Sequence, residues 1–186
     1  MQLSHFPKRF LWLDFFSKQN EAEVTVMSVL RSNQLFSRLT RKELALVSKL
    51  VHMRNYEAGE AVFTQDEKGL GMYIIAKGAI DIRMRAHDSP GEEVTVATLE
   101  PGSFFGELAL TDQGSKRSAS AYARGKTVLV GFFKPDLMEI MERKPETGVK
   151  ILLQLCKVLG KRLSETSDAL TQLSRELYQR ESKKAA

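Results

Sequence analysis

The segment from Pro101 to Ala119 combines residue types that can hold an anion. Gly106 allows a close approach of the backbone, and residues 107–110 can begin a single helical turn whose free N–H groups attract negative charge. Arg117, about ten residues further on, can add a planar, two-pronged donor. The Glu107 carboxylate supplies an acceptor for a sugar hydroxyl. Amides, a guanidinium and a carboxylate together fit a ribose phosphate better than a bare anion.

This stretch resembles the phosphate-binding cassette of the cyclic-nucleotide-binding domain family. The usual form of that cassette is Phe-Gly-Glu-Leu-Ala-Leu, a few loop residues, then Arg and small residues, and this sequence carries it at residues 105–110 and 117–119. Residues 56–60, 72–75 and 77–78 are similar to the family's β-roll, and the similarity covers about residues 35–177. The loop length and the run Arg117-Ser118-Ala119 resemble the bacterial catabolite activator, or Crp-Fnr-like, branch more than eukaryotic kinases.

The resemblance implies a set of ligand-binding residues. The ribose and phosphate contacts would come from Gly106, Glu107, Leu108, Ala109, Arg117 and Ser118. Among these, Glu107 and the Gly106 backbone would hold the ribose 2′-hydroxyl, while Arg117 would pair with the phosphate oxygens. The apolar wall of the pocket would consist of Ile82, Val96 and Leu99. The family often has Gly where this chain has Asp66, and Pro where it has Lys116; neither change removes a ligand-contacting group.

Recognition of the base rests on a second resemblance. Residues 162–168 are similar to the activator segment whose Thr-Ser pair meets the adenine amino group, which assigns Thr166 and Ser167 to a lid over the base. Ser118 could instead favour guanine, but the activator branch carries Ser there too and takes cyclic AMP. We therefore expect cyclic AMP to be preferred modestly over cyclic GMP, with no cofactor and no metal. Thr166 could equally serve to set the register of a coiled coil.

The pattern of apolar runs predicts the elements that must position this cassette. Short β-branched and aromatic runs alternate with glycines and prolines at residues 61–63, 72–75, 79–84, 94–99 and 127–133. Thr40, followed by Glu43, predicts a helix through Val51, and further helices are predicted at residues 136–143 and from Pro145 to about Ser182. We predict an α+β fold in which an antiparallel β-roll of jelly-roll type is flanked by N-terminal helices and a long C-terminal helix.

Three parts follow from this reading. Residues 1–34 are predicted to be a helical extension. Its aromatic stretch at 10–16 packs on the main domain or docks on a partner or a membrane surface. Residues 35–145 are predicted to be the β-roll with flanking helices, and residues 146–186 the long helix. Leucines of the long helix follow a 3-4 spacing that slips by one residue at Gly160. The distal half, residues 163–177, exceeds what one roll can bury, which predicts a homodimeric coiled coil. Cys156, among apolar neighbours, is predicted to be buried.

Composition excludes several classes of protein. The net charge of +5, from 28 Lys and Arg against 23 Asp and Glu in 186 residues, is spread along the chain, so specific DNA binding is not expected. No apolar run approaches the roughly 18 residues of a membrane helix, and the N-terminus lacks a signal-peptide pattern, which favours a cytoplasmic protein and makes a membrane partner unexpected. One cysteine excludes an internal disulfide. Without a nucleophile–base pair, paired carboxylates or a Walker lysine, an enzyme is disfavoured.

These features predict a bacterial, stand-alone cyclic-nucleotide sensor that signals through a protein partner. A helix-turn-helix module of the activator kind would need tens of residues after Ala186. Two alternatives stay open. In the first, the chain is a scaffold with a degenerate pocket, in which Arg117 and Glu107 form a structural ion pair. In the second, it is a transcription regulator whose DNA-reading part lies on another chain.

Overall fold

The structure, a computed structural model, describes residues 25–86, 91–111 and 116–185, with side chains through Arg180. These ranges contain four α-helices: α1, Val26–Ser32; α2, Arg41–Val47; α3, Lys134–Arg143; and α4, Pro145–Ala185. Two 3-10 turns lie at Gln34–Phe36 and Glu107–Leu110. The aromatic stretch at residues 10–16 lies outside the described residues, so its predicted role stays a prediction.

Eight antiparallel strands in the described ranges make two four-stranded sheets. The strands are β1, His52–Tyr56; β2, Ala61–Phe63; β3, Gly71–Lys77; β4, Ile80–Arg85; β5, Glu93–Leu99; β6, Phe104–Phe105; β7, Ser120–Ala123; and β8, Thr127–Phe133. One sheet has the order β1-β8-β3-β6 and the other β2-β7-β4-β5. The predicted α+β fold with an antiparallel β-roll is confirmed. Strands β1, β6 and β7 were not predicted, because they are short or carry exposed and small residues instead of an apolar run.

One hydrophobic core joins the helices to the first sheet. Its buried members include Leu30 from α1, Phe132 from β8, and Ile151 and Leu155 from α4. The rings of Phe36 and Phe132 meet edge to face, with centroids 5.5 Å apart. The boundaries predicted after residues 34 and 145 therefore cut through a single core, because the first turns of α4 and the helix before residue 34 pack together with the strands.

Helix α4 begins at the predicted proline. One of its faces packs on the core, and another is exposed. Pro145 pushes the preceding Lys144 out of helical backbone (φ −144°, ψ 71°), which ends α3. The proximal leucines predicted for the heptad repeat, at 152, 155 and 159, lie against the core of the same chain. A separate exposed stripe, which we call the seam, follows an unbroken alternation of four and three residues at Val149, Leu153, Cys156, Gly160, Leu163, Ser167, Leu170, Ser174 and Leu177.

The seam explains two differences from the sequence-based expectation. The slip at Gly160 arises because the proximal and distal leucines belong to different faces of α4, so one heptad register does not have to connect them. The prediction that Cys156 is buried is wrong, since its side chain is exposed. It lies one residue, or about 100° around the helix, from buried Leu155, and this rotation carries it onto the seam.

Helix α2 is tied to the start of α4 through one carboxylate. Thr40 and Glu43 form the predicted capping box, in which the Thr40 N–H donates to Glu43 Oε2 at 2.7 Å. The other oxygen of Glu43 accepts from Lys150 Nζ at 2.7 Å and from the Thr147 hydroxyl at 3.1 Å. The helix α2 ends at Val47, earlier than predicted, and turn residues carry the chain to β1. The hydrogen bond from Lys150, followed by that from the Thr40 backbone, lowers the pKa of Glu43 from 4.5 to about 2.

We predict that Glu43→Gln lowers the free energy of unfolding by about 1–2 kcal/mol at neutral pH, because the variant loses a cap and an ion pair. Since the pKa of Glu43 is lower in the folded than in the unfolded chain, its contribution is complete above about pH 4.5 and is lost as the pH falls toward 2. Denaturant unfolding at pH 7 and near pH 3 should therefore show a smaller difference between wild type and variant at the lower pH. Exposed Glu100→Gln is the control, and an equal loss there would contradict the assignment.

Candidate functional site

The predicted anion-binding turn is present at the end of β6. Gly106 has a left-handed backbone (φ +76°) and precedes the 3-10 turn Glu107–Leu110. A Cβ atom at this position would lie 2.5 Å from Nη1 of Arg117, so glycine is required both for the backbone conformation and for the approach of the arginine. The Ala109 N–H donates to the Gly106 carbonyl at 3.2 Å, which leaves the preceding amides at the open end of the turn for an anion.

Arg117 is a buried cation with unused donors. The residue is only 8% exposed, and its guanidinium carbon lies 4.0 Å from the ring centroid of Phe63. Nη1 donates to the Gly106 carbonyl at 3.0 Å and Nη2 to the Gly71 carbonyl at 2.8 Å, while Nε has no hydrogen-bond partner among the described residues. Burial removes water from the guanidinium and thereby lowers the pKa of Arg117. An anion that accepts from the remaining donors would compensate for that loss.

Glu107 is the buried carboxylate of the same turn, and α4 reaches it. The Glu107 side chain is almost fully buried, and its Oε1 accepts from Nη1 of Arg162. The second prong of Arg162 donates to the Phe104 carbonyl at 3.0 Å, and its guanidinium carbon lies 4.9 Å from the Phe104 ring centroid. The long helix thus contacts the carboxylate that is predicted from the sequence to hold the ribose.

A cavity of about 390 Å³ brings the two charged groups together. Its walls include seven of the residues predicted from the sequence, namely Ile82, Leu99, Gly106, Glu107, Leu108, Arg117 and Ser118. Ala109 lines a small adjoining recess of about 40 Å³, together with Lys116 and the other side of Arg117. The cavity therefore combines the charged groups of Arg117, Glu107 and Arg162 with apolar and aromatic side chains, which suits a ligand with a charged sugar part and a flat apolar part.

Three predicted site residues lie outside the cavity. Val96 is 55% exposed and sits at the bulge in the β4–β5 pairing, where the strand register shifts and its side chain leaves the wall. Thr166 and Ser167 are exposed, and the Thr166 hydroxyl donates to the Arg162 carbonyl at 2.8 Å within the helix. They lie one turn, about 6 Å, beyond Arg162 along α4, so this residue occupies the place expected for the lid.

Sequence reasoning did not assign Arg162 to the site, nor the aromatic wall made by Phe63, Phe104 and Phe105. A signal for Arg162 was present, since it is a cation that begins the segment compared with the activator lid and precedes Thr166 by one helical turn. The position that often holds Gly in the family, Asp66, has the left-handed backbone expected of glycine (φ 72°), and its carboxylate accepts from Arg85 at 2.6 Å.

Two further features of the described residues concern other classes of site. Across residues 25–86, 91–111 and 116–185, no group of three or more His, Cys, Asp and Glu side chains is arranged to hold a metal ion. Within the same residues, no helix has the length and apolar character needed to cross a membrane.

Comparison with known proteins identifies a domain in the part of the chain that supplies most of this cavity. Residues 53–144 match the model of the cyclic nucleotide-binding domain. The chain is 34% identical over 145 residues to the cyclic AMP receptor protein of Thermus thermophilus, covering 78% of this chain and 64% of the relative. A cAMP-dependent protein kinase regulatory subunit of Mycosarcoma maydis is 42% identical over 93 residues, which are 50% of this chain and 17% of the relative. The chain thus spans less than two thirds of both relatives.

A solved structure agrees with this assignment. The crystal structure of Thermus thermophilus catabolite activator protein superposes with a TM-score of 0.67 and 33% sequence identity, over 76% of this chain and 63% of that one. Residues 53–144 contain β2 to β8, most of β1, the Glu107–Leu110 turn and Arg117, and they supply all of the cavity lining except Arg162. Residues 53–144 of this chain therefore form a cyclic nucleotide-binding domain that shares the fold of these relatives.

Proposed function

We propose that the chain is a cyclic-nucleotide sensor that prefers cyclic AMP, acts as a homodimer and signals through a protein partner. The observation that carries the proposal is the pairing, in one cavity, of a buried guanidinium that has unused donors with a buried carboxylate. A cyclic nucleotide has the complementary groups, namely a singly charged phosphate for Arg117 and a ribose hydroxyl for Glu107. The apolar wall that includes Ile82 and Leu99 would contact the base.

The signal would travel through Arg162. Glu107 accepts from Arg162 in this structure, and a ribose hydroxyl would become a second donor to the same carboxylate. A ligand that changes this ion pair changes the packing of α4 against the β-roll, because Arg162 is the contact between that part of the helix and the cassette. The ligand can shift the balance between two arrangements of α4 only by binding one of them more tightly.

The seam of α4 supports a homodimer. Its apolar members Val149, Leu153, Leu163, Leu170 and Leu177 are each at least half exposed. They extend over about 42 Å of helix, and a helix of this length with an exposed 3-4 stripe buries it most simply against a second copy. The names of two relatives, a cyclic AMP receptor protein and a kinase regulatory subunit, favour a regulatory role over a catalytic one.

The proposed contact of Arg117 with the phosphate is tested by calorimetric titration with cyclic AMP. Arg117→Ala should weaken binding by about 2 kcal/mol or more, roughly thirtyfold, because a charge-assisted pair in a partly desolvated site is lost. Arg117→Lys should recover only part of the affinity, since an ammonium cannot reproduce the planar fork. Exposed Arg124→Ala is the matched control. Thermal unfolding checks that the variants fold, because Arg117 also holds two backbone carbonyls.

Unchanged affinity in a folded Arg117→Ala variant would contradict the proposed site. A wild-type chain that binds neither cyclic AMP nor cyclic GMP would favour the scaffold alternative instead.

The choice of base is tested by competition between cyclic AMP and cyclic GMP. We expect the wild type to prefer cyclic AMP by about 1–2 kcal/mol, on the order of tenfold, because hydroxyls of the lid both donate and accept. Thr166→Ala/Ser167→Ala should abolish that preference if nucleotide binding draws α4 along the cavity by about one turn. Thr171→Ala/Ser174→Ala is the control, since Thr171 makes the same hydroxyl-to-carbonyl bond one turn further on. A preference that survives the first double substitution would show that these residues do not read the base.

Assembly is tested by light scattering at micromolar concentration. The wild type should be a dimer, and Leu170→Glu/Leu173→Glu should shift it to monomer, because two exposed leucines of the distal helix are replaced by repelling charges. Gln172→Glu/Gln179→Glu adds the same charge on another face of α4 and should leave the dimer intact. A monomeric wild type would refute the proposed assembly.

A further inference from the structure

A second concave site lies away from the nucleotide cavity, between α2 and the junction of α3 with α4. This groove has a volume of about 940 Å³, more than twice the 390 Å³ of the nucleotide cavity, and shares no lining residue with it. Its floor contains partly buried Ala45 and Leu46 from α2 and the exposed ring of Pro145 from the junction. The first turn of α4 contributes Glu146 and Thr147 to the lining.

The rim of the groove is predominantly basic. Lys42, Lys49, Arg143 and Lys144 surround the floor, and each of these side chains is exposed. Among the described residues, Arg143 pairs with Glu139 at 3.0 Å, whereas no described carboxylate pairs with the three lysines. Two carboxylates, Glu43 and Glu146, also line the groove. Glu43 is already paired with Lys150 at 2.7 Å.

The positive surface continues along α4 beyond the groove. A neighbouring recess of about 470 Å³ is lined by Arg38, Lys150 and Lys157, together with Leu153 and Gln154. Cations that are far apart in the sequence are thus gathered by the packing of α2 against α4. A surface on which cations outnumber carboxylates has a positive local potential and attracts an anionic partner.

We propose that this groove is a docking site for an acidic, amphipathic helical segment of a partner protein. An apolar floor with a cationic rim fits a helix that places leucine-like side chains on one face and carboxylates beside them. The shape and the apolar floor of the groove fit the other anionic partners, nucleic acids and lipid surfaces, less well. A nucleic acid backbone would meet the lysines but would leave the apolar floor without a contact, and a flat lipid surface would not enter a concave groove.

Because the groove lies between α2 and the start of α4, the binding of a partner there would depend on the packing of α4. The occupant would touch α2 on one side and the start of α4 on the other, and these walls are held together by Glu43 with Thr147 and Lys150. Movement of α4 would therefore change the width of the groove. The link between nucleotide and partner rests on the proposed sensor function, but the affinity of the groove for an acidic helix does not.

The test uses fluorescence anisotropy of a labelled peptide with the full chain. The probe is a peptide of about 14 residues, about 21 Å as a helix, with Leu on one face and Glu on the others. Lys42→Glu/Lys49→Glu should weaken binding roughly tenfold or more, because two attractive charges become repulsive. Arg124→Glu/Lys126→Glu makes the same change of charge on the exposed β7–β8 turn and should leave binding unchanged. A peptide of the same composition with the leucines scattered around the helix should bind more weakly.

Several results would overturn the proposal. They are equal weakening by both double substitutions, equal binding of the two peptides, or no peptide binding by the wild type. Binding of short duplex DNA or of phosphatidylglycerol vesicles that depends on Lys42 and Lys49, without peptide binding, would assign the surface to those partners instead. A changed oligomeric state in the Lys42→Glu/Lys49→Glu variant would make it a contact between copies of the chain.

Nucleotide titration of the same variants separates this inference from the proposed function. Cyclic AMP affinity should be unaffected by Lys42→Glu/Lys49→Glu, because neither lysine lines the nucleotide cavity. Peptide binding by a chain that binds no cyclic nucleotide would uphold the groove and refute the sensor. The reverse result would refute the groove alone.

Discussion

The site depends on the burial of one positive charge. Arg117 lies inside the roll because the carbonyls of Gly71 and Gly106 accept from it and the Phe63 ring lies against its face. Those contacts replace only part of the water that the guanidinium has lost, so the site remains favourable for an anion. They also require glycine at 106, since a Cβ there would collide with the arginine. Arg117, Gly106 and Phe63 all line the cavity, so this buried contact forms part of its wall.

Helix α4 connects the cassette to the rest of the molecule through the carboxylate of Glu107. One face of its first turns completes the core, Arg162 contacts the buried carboxylate of the cassette, and the seam stays exposed over its length. The same first turns form a wall of the basic groove beside α2. A single rigid element therefore contacts the nucleotide site, the proposed dimer contact and the proposed partner site. A change in the packing of α4 would alter the contacts at all three places, because a helix moves as a unit.

The local elements could largely be predicted from the sequence. The strands at residues 61–63 and 127–133 carry β-branched and aromatic runs, the capping box of Thr40 and Glu43 marks the start of α2, and Pro145 marks the start of α4. The strand β1 could not be predicted, because four of its five residues are exposed and its partner β8 lies more than 70 residues away in the chain. Cys156 was misplaced because apolar neighbours in the sequence do not share one helical face.

For the site, the sequence by itself predicted the residues of the cassette, since Gly106 and Glu107 belong to a short turn whose geometry is local and Arg117 follows at the spacing of a known motif. It also determined that the long helix carries more leucine than one roll can cover. Only the tertiary structure decided that Arg162, and not Thr166, meets the cavity, and that Val96 leaves it at a bulge. The reason is that a shift of one helical turn or of one strand residue is set by packing over the whole element. Such a shift does not change the spacing of nearby residues in the sequence, so it cannot be predicted from that spacing.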